Sequence, residues 1–127
     1  MADRPRILYV DDDEELRTLY AYILDTQGFD VETCENGHAA KAIVRGGGVD
    51  FILLDLMMPG MDGLAFLRWL RREQKSDVPV LMLSAVTKAG VKDALLEAGA
   101  DEVLLKPVGT PELLRQVKKL LHAGGLH

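Results

Sequence analysis

The chain is poor in the residue types that build covalent or soft-metal frameworks. Cys34 is the one cysteine in 127 residues, so no disulfide can form within a single copy. It follows a short strand-like stretch and reads as a packing residue, and a lone thiol suits the reducing cytoplasm we expect for this protein. The three histidines, His38, His122 and His127, are scattered and offer no ligand spacing for zinc. No apolar run approaches about 18 residues, so nothing reads as a membrane span. Residues 1–6 lack the basic start and long apolar stretch of a signal peptide. Positive charge is also short. Fifteen Lys and Arg face twenty Asp and Glu, for a net charge of −5, which disfavours direct nucleic-acid binding by this domain. Arg68, Arg71, Arg72 and Lys75 share one helix, and Arg115, Lys118 and Lys119 another. Both sets read as solvated helix faces. There is no P-loop and no G-x-G-x-x-G.

What the chain does have is a regular alternation. With 48% apolar and 28% charged residues it is expected to form one soluble globular domain. Apolar stretches at 7–10, 49–55, 79–84 and 103–105, with a more polar edge stretch at 31–34, read as strands. Between them lie helical spacings. Leu16, Leu19, Tyr20, Ile23 and Leu24 share one face, as do Val91, Ala94, Leu95 and Ala98, and Leu113, Leu114, Val117, Leu120 and Leu121. Caps agree with these limits: Asp13, Asn36, Asp62 and Thr110 at helix starts, Gly28 and Gly99 just past helix ends. A helix is expected near 88–98. Five strand–helix repeats predict an α/β fold, a flavodoxin-like (βα)5 doubly wound parallel sheet in the order 2-1-3-4-5.

Three strand ends carry charge. Asp11, Asp12 and Asp13 close the first strand, Asp55 the third, and Lys106 the fifth, just before Pro107. In that strand order the first and third strands are neighbours, so Asp11, Asp12 and Asp55 meet at one rim, joined by Ser84 and Lys106. Two like charges about 4 Å apart at an effective dielectric near 20 repel by roughly 4 kcal/mol. A hard divalent cation offsets such repulsion, and ligands that are all oxygen favour Mg²⁺ or Mn²⁺. Asp13 is better placed as a helix cap than as a ligand. The parts suit phosphoryl transfer to a carboxylate. Asp55 is the acceptor, Mg²⁺ holds one phosphoryl oxygen, Lys106 a second, and the Ser84 hydroxyl with the Ala85 amide a third.

Two other functions fit an α/β scaffold less well. An aspartate-nucleophile phosphohydrolase uses a second acid two residues after the nucleophile, and here that place holds Met57. A flavodoxin-like cofactor binder cradles phosphate after the first strand, where this chain has five consecutive acids, Asp11 to Glu15.

The segments 7–13 (Ile7 to Asp13), 55–63 (Asp55 to Gly63), 83–85 (Leu83 to Ala85) and 105–107 (Leu105 to Pro107) resemble the motifs of response regulator receiver domains, in order and across residues 4–122. The resemblance implies a domain over 1–122, with 123–127 a frayed tail or the start of a linker. It implies that Asp55 is phosphorylated by a histidine kinase or a histidine phosphotransfer protein and that the domain switches an interaction surface for an unknown output partner. Asp12 then resembles the direct Mg²⁺ ligand, Asp11 the acid that holds the metal through water, and Met57 the residue lending a backbone carbonyl. Ser84 and Lys106 take the phosphoryl-holding places, and the Lys106-Pro107 bond is expected to be cis. Such a domain catalyses only its own phosphorylation and dephosphorylation and is not otherwise an enzyme.

Two positions depart from the family pattern. Val103 stands where a switch Tyr or Phe is frequent, and Val108 where Phe is frequent. Met57 cannot hydrogen-bond an attacking water through its side chain, so one route to rapid loss of phosphate is missing. Phospho-Asp55 is therefore expected to outlive seconds when its decay is followed by intact mass. A lifetime of seconds or less that Met57→Ala lengthens contradicts this.

Overall fold

Apolar runs that stop at charged residues form strands in the computed structural model, which describes residues 4–58 and 60–123. In chain order these are β1 (Arg6–Val10), α1 (Glu14–Thr26), β2 (Asp30–Cys34), α2 (Gly37–Arg45), β3 (Phe51–Asp55), α3 (Gly63–Arg68), β4 (Val80–Ser84), α4 (Val91–Glu97), β5 (Glu102–Leu105) and α5 (Thr110–Ala123). All strand pairs are parallel and the order is β2-β1-β3-β4-β5. The expected flavodoxin-like topology is therefore the one observed. The edge strand β2 is the polar one, as its composition suggested. The expected tail falls on residues outside the described ones, except Ala123, which closes α5.

The sheet has two buried faces, and alternation along each strand sorts side chains between them. Leu8, Val10, Ile52, Leu54, Val80 and Met82 face α2, α3 and α4. Ile7, Tyr9, Phe51, Leu53, Leu81 and Leu83 face α1 and α5, where Leu24, Leu113 and Val117 meet them. Burying such a side chain contributes roughly 1.5–3 kcal/mol. This layering makes the three central strands apolar throughout and leaves polar side chains for the strand tips.

The caps fall where the sequence placed them, with one exception. Asp13, Asn36 and Asp62 accept from the backbone N–H groups of Leu16, Ala39 and Ala65 at 3.1, 2.8 and 2.8 Å. Gly28 and Gly99 take φ of +94° and +118° past α1 and α4. At α5 the helix begins with Thr110 itself, and the Gly109 carbonyl accepts from Leu113 N–H, so the cap lies one residue earlier than expected.

Four other expectations are corrected. Leu19 is half exposed and Ala94 is exposed, because each lies at the edge of an apolar stripe too wide for the sheet to cover. The fourth helix starts at Val91, not 88, since Gly90 at φ +87° breaks the helical path. The third helix widens after Arg68 into a π turn over Trp69–Glu73, with Gln74 N–H bonded to the Trp69 carbonyl at 3.0 Å, and it ends before Lys75, which at φ +54° does not share the helix with Arg68, Arg71 and Arg72 as expected. There Trp69 packs on Phe66 with Lys41 and Arg45 over its ring.

Arg71 is the fourth correction. It does not join the solvated cationic face. Its guanidinium donates to the carbonyls of Gly99 at 2.8 and 3.0 Å, Val78 at 2.7 Å and Ser76 at 3.1 Å, and to the Asp101 carboxylate at 3.1 Å. Asp101 in turn accepts from Val80 N–H at 2.8 Å. One side chain thus ties the beginnings of β4 and β5 to the end of α3. Arg71→Ala should lower unfolding stability by roughly 2–4 kcal/mol in urea titrations, because several part-buried carbonyls lose a charged donor. Exposed Arg68→Ala should change it by no more than about 0.5 kcal/mol. Equal effects would contradict the tie.

Candidate functional site

Parallel register delivers the charged residues to one edge. Val10 pairs with Leu54, so the next residues, Asp11 and Asp55, leave adjacent strands side by side. Asp55 pairs with Leu83, Ser84 with Leu105, and Lys106 N–H donates to the Ser84 carbonyl at 2.9 Å. Behind Asp55 the chain turns sharply. Gly63 N–H bonds the Leu56 carbonyl at 2.8 Å, and a Cβ at Gly63 would sit 2.4 Å from the Asp55 carbonyl oxygen. Only glycine lets α3 begin this close to the strand tip.

Asp11, Asp12 and Asp55 each present a carboxylate oxygen, and these lie within 4.8 Å of one another. Asp11 is wholly buried, Asp55 almost so, and Asp12 exposed. The Lys106 ammonium lies 2.8 Å from Asp55 Oδ1 and 3.3 Å from Asp11 Oδ2. Its peptide bond to Pro107 is cis. Three carboxylates and one ammonium leave a charge of about −2 on an all-oxygen rim. That donor set fits one hard divalent cation and offers no sulfur or imidazole for a softer metal.

The electrostatics follow from burial. Desolvation holds the Asp55 carboxyl above the usual aspartate range. The hydrogen bond from Lys106 works against this, and the charges of Asp11 and Asp12 add to it. Burial also penalises the Lys106 ammonium, but its bonds to Asp55 and Asp11 more than offset this, so its pKa is raised and the group stays protonated. Away from the rim, burial pushes the Cys34 thiol up to about 11, which leaves it a packing group rather than a nucleophile.

Ser84 and Ala85 sit at the same edge in different states. Ser84 is buried, and its hydroxyl oxygen accepts from Val86 N–H at 3.0 Å, within its own loop. Ala85 is exposed. Met57 is 61% exposed, while Met58 is buried and Met61 packs partly against the core. Val103 is buried beside Met82 and Leu95, and a cavity of about 350 Å³ opens between it, Val86, Val91 and Leu105.

Two neighbours of the rim escaped the sequence reading. Arg17 on α1 donates to the Asp11 carbonyl at 2.7 Å. The Tyr9 hydroxyl donates to Asp11 Oδ2 at 2.7 Å. Residues two apart on a strand share a face, so Tyr9 beside Asp11 was a readable signal. Arg17 carried no comparable one.

Comparison with known proteins agrees with this geometry. The family model described as response regulator receiver domain matches residues 7–118. The chain belongs to this family. Among curated relatives, the DNA-binding dual master transcriptional regulator RpaA of Synechocystis is 38% identical over 118 residues, covering 92% of this chain and 49% of that protein. The DNA-binding response regulator MtrA of Mycobacterium leprae is 41% identical over 118 residues, covering 93% and 52%. This receiver domain thus spans about half the length of the curated relatives it matches. Among solved structures, the Francisella response regulator 1452 receiver domain superposes with a TM-score of 0.90 at 30% identity, covering 95% of this chain and 99% of that one. The receiver domain is a signalling module of two-component regulators rather than a conventional enzyme.

The raised Asp55 pKa makes a signed prediction. A carboxyl whose folded pKa lies above its unfolded value adds stability below the unfolded pKa and loses it as pH rises through the folded value. Asp55→Asn removes that loss. In metal-free buffer the thermal stability of the mutant relative to wild type should grow as pH rises above about 4, the ordinary aspartate range. A relative stability that shrinks with pH would overturn the sign.

Proposed function

We propose that Asp55 accepts a phosphoryl group from a phosphohistidine on a histidine kinase or histidine phosphotransfer protein, in a Mg²⁺-dependent transfer. The observation that carries this is the rim itself: Lys106 bonded to Asp55 and Asp11, with Asp12 in reach and a charge of about −2 left over. Asp12, Asp55 and the Met57 carbonyl would hold the ion, with Asp11 acting through water. When bound, magnesium supplies positive charge that offsets the rim and the phosphoryl oxygens.

The chain's own groups divide the remaining work. An Asp55 carboxylate oxygen attacks phosphorus in line, and the phosphorus–nitrogen bond of the donor breaks. Lys106 already lies against the Asp55 carboxylate and would turn its ammonium to a phosphoryl oxygen. The Ser84 hydroxyl would turn its proton from the Val86 carbonyl, 3.5 Å away, to another phosphoryl oxygen, assisted by the Ala85 amide. That change of partner moves the loop after β4 and so alters the surface of α4 and β5. Such a shift needs a ligand that binds the two loop arrangements unequally, and a new dianionic group beside Ser84 is one.

The output partner is left unspecified. The longer relatives carry DNA-binding in their names, so an output domain of that kind is one partner this receiver could control. The proposed exchange with a phosphohistidine donor would take place in the cytoplasm. After incubation with acetyl phosphate and Mg²⁺, intact mass should show one added phosphoryl group on wild type and none on Asp55→Asn. An added group that persists in the mutant would move the acceptor elsewhere.

A further inference from the structure

Tyr9 precedes the last residue of β1 and is wholly buried, as is Asp11 two residues on. Packing alone needs no hydroxyl there, yet the phenol donates to Asp11 Oδ2 at 2.7 Å. The other oxygen, Oδ1, accepts from Asp13 N–H at 2.9 Å. Oδ2 is shared with Lys106 at 3.3 Å. The ring is held in turn: Tyr20 of α1 lies against it with centroids 5.9 Å apart. The Tyr20 hydroxyl donates to the Val108 carbonyl at 3.2 Å, two residues past Lys106.

We propose that Tyr9 is a positioning residue for the cation site: its buried hydroxyl fixes the Asp11 carboxylate in the orientation that a magnesium-bound water requires. The inference rests on the assignment of Asp11 to that site. The need arises from Lys106. One ammonium serves Asp55 and Asp11, and in the transfer above it turns toward the phosphoryl group. Asp11 Oδ2 then keeps Tyr9 as its remaining side-chain donor among the described residues. With phenylalanine in this place the buried Oδ2 would be short of a donor, and the carboxylate would be held only through Oδ1 by Asp13 N–H. Residues that orient metal-binding groups in this way typically cost about 10- to 100-fold in metal affinity when changed.

The test is an amide-shift NMR titration of the full chain with MgCl₂, on wild type, Tyr9→Phe and Tyr20→Phe. Tyr9→Phe removes one oxygen and keeps the ring packed on Tyr20. Its dissociation constant for Mg²⁺ should rise by about tenfold. Tyr20→Phe also loses a buried hydroxyl bond, but one that does not reach Asp11, and should stay within about twofold of wild type. The Mg²⁺ concentration giving half-maximal phosphorylation by acetyl phosphate should rise in Tyr9→Phe in parallel, with the rate at saturating Mg²⁺ nearly unchanged. A Tyr9→Phe affinity within about twofold of wild type overturns the proposal while leaving the cation site intact. Equal losses in both tyrosine variants also overturn it, because a general loosening then explains them. If wild type shows no Mg²⁺-dependent shifts around Asp11, Asp12 and Asp55, the cation site itself falls, and the role of Tyr9 with it.

Discussion

Lys106 must serve two carboxylates with one ammonium group, and a third carboxylate stands within reach of both. Everything at this rim follows from that shortfall. Burial raises the cost of ionising Asp55, and the nearby negative charges raise it further. The lysine offsets part of the cost and no more. A site left in this condition is poised to take up positive charge. A fold selected only for stability would place well-packed apolar groups here, since buried charges seldom repay their desolvation. The imbalance is better understood as a requirement of function maintained against stability.

The doubly wound sheet is what makes the imbalance possible. Parallel strands send all their carboxyl ends to one edge, and a two-sided core buries the strand interiors so that only tips can carry charge. Asp11 and Asp55, distant in sequence, become neighbours because β1 and β3 are neighbours. Gly63 completes the arrangement by letting α3 start against the back of Asp55. Topology supplies the convergence, and single residues adjust its spacing.

Most of this was legible before any coordinates. Strand runs that end in charge, helical spacing and side-chain caps are local signals, and the fold is the sum of local signals under a strict connection rule. Asp11, Asp12, Asp55, Ser84 and Lys106 could be read because each marks the end of a strand. The contacts of Arg71 could not be read, since a cation on an amphipathic helix looks solvated until the backbone beneath it is known. The π turn at Trp69 was hidden for a related reason: it inserts one residue into the helical period without any proline or glycine to mark it. Leu19 and Ala94 show the converse limit. Apolar spacing reveals a stripe but not how much of its width a neighbour will cover.

Arg71 has a further meaning for motion. It fastens the starts of β4 and β5 at the edge opposite the acidic rim, through carbonyls that offer no alternative partner of equal strength. The sheet therefore resembles a hand fan pinned at the handle. Any rearrangement of the loops after Ser84 and Lys106 would act at the edge away from that pin, with the Arg71 contacts holding the opposite edge in register.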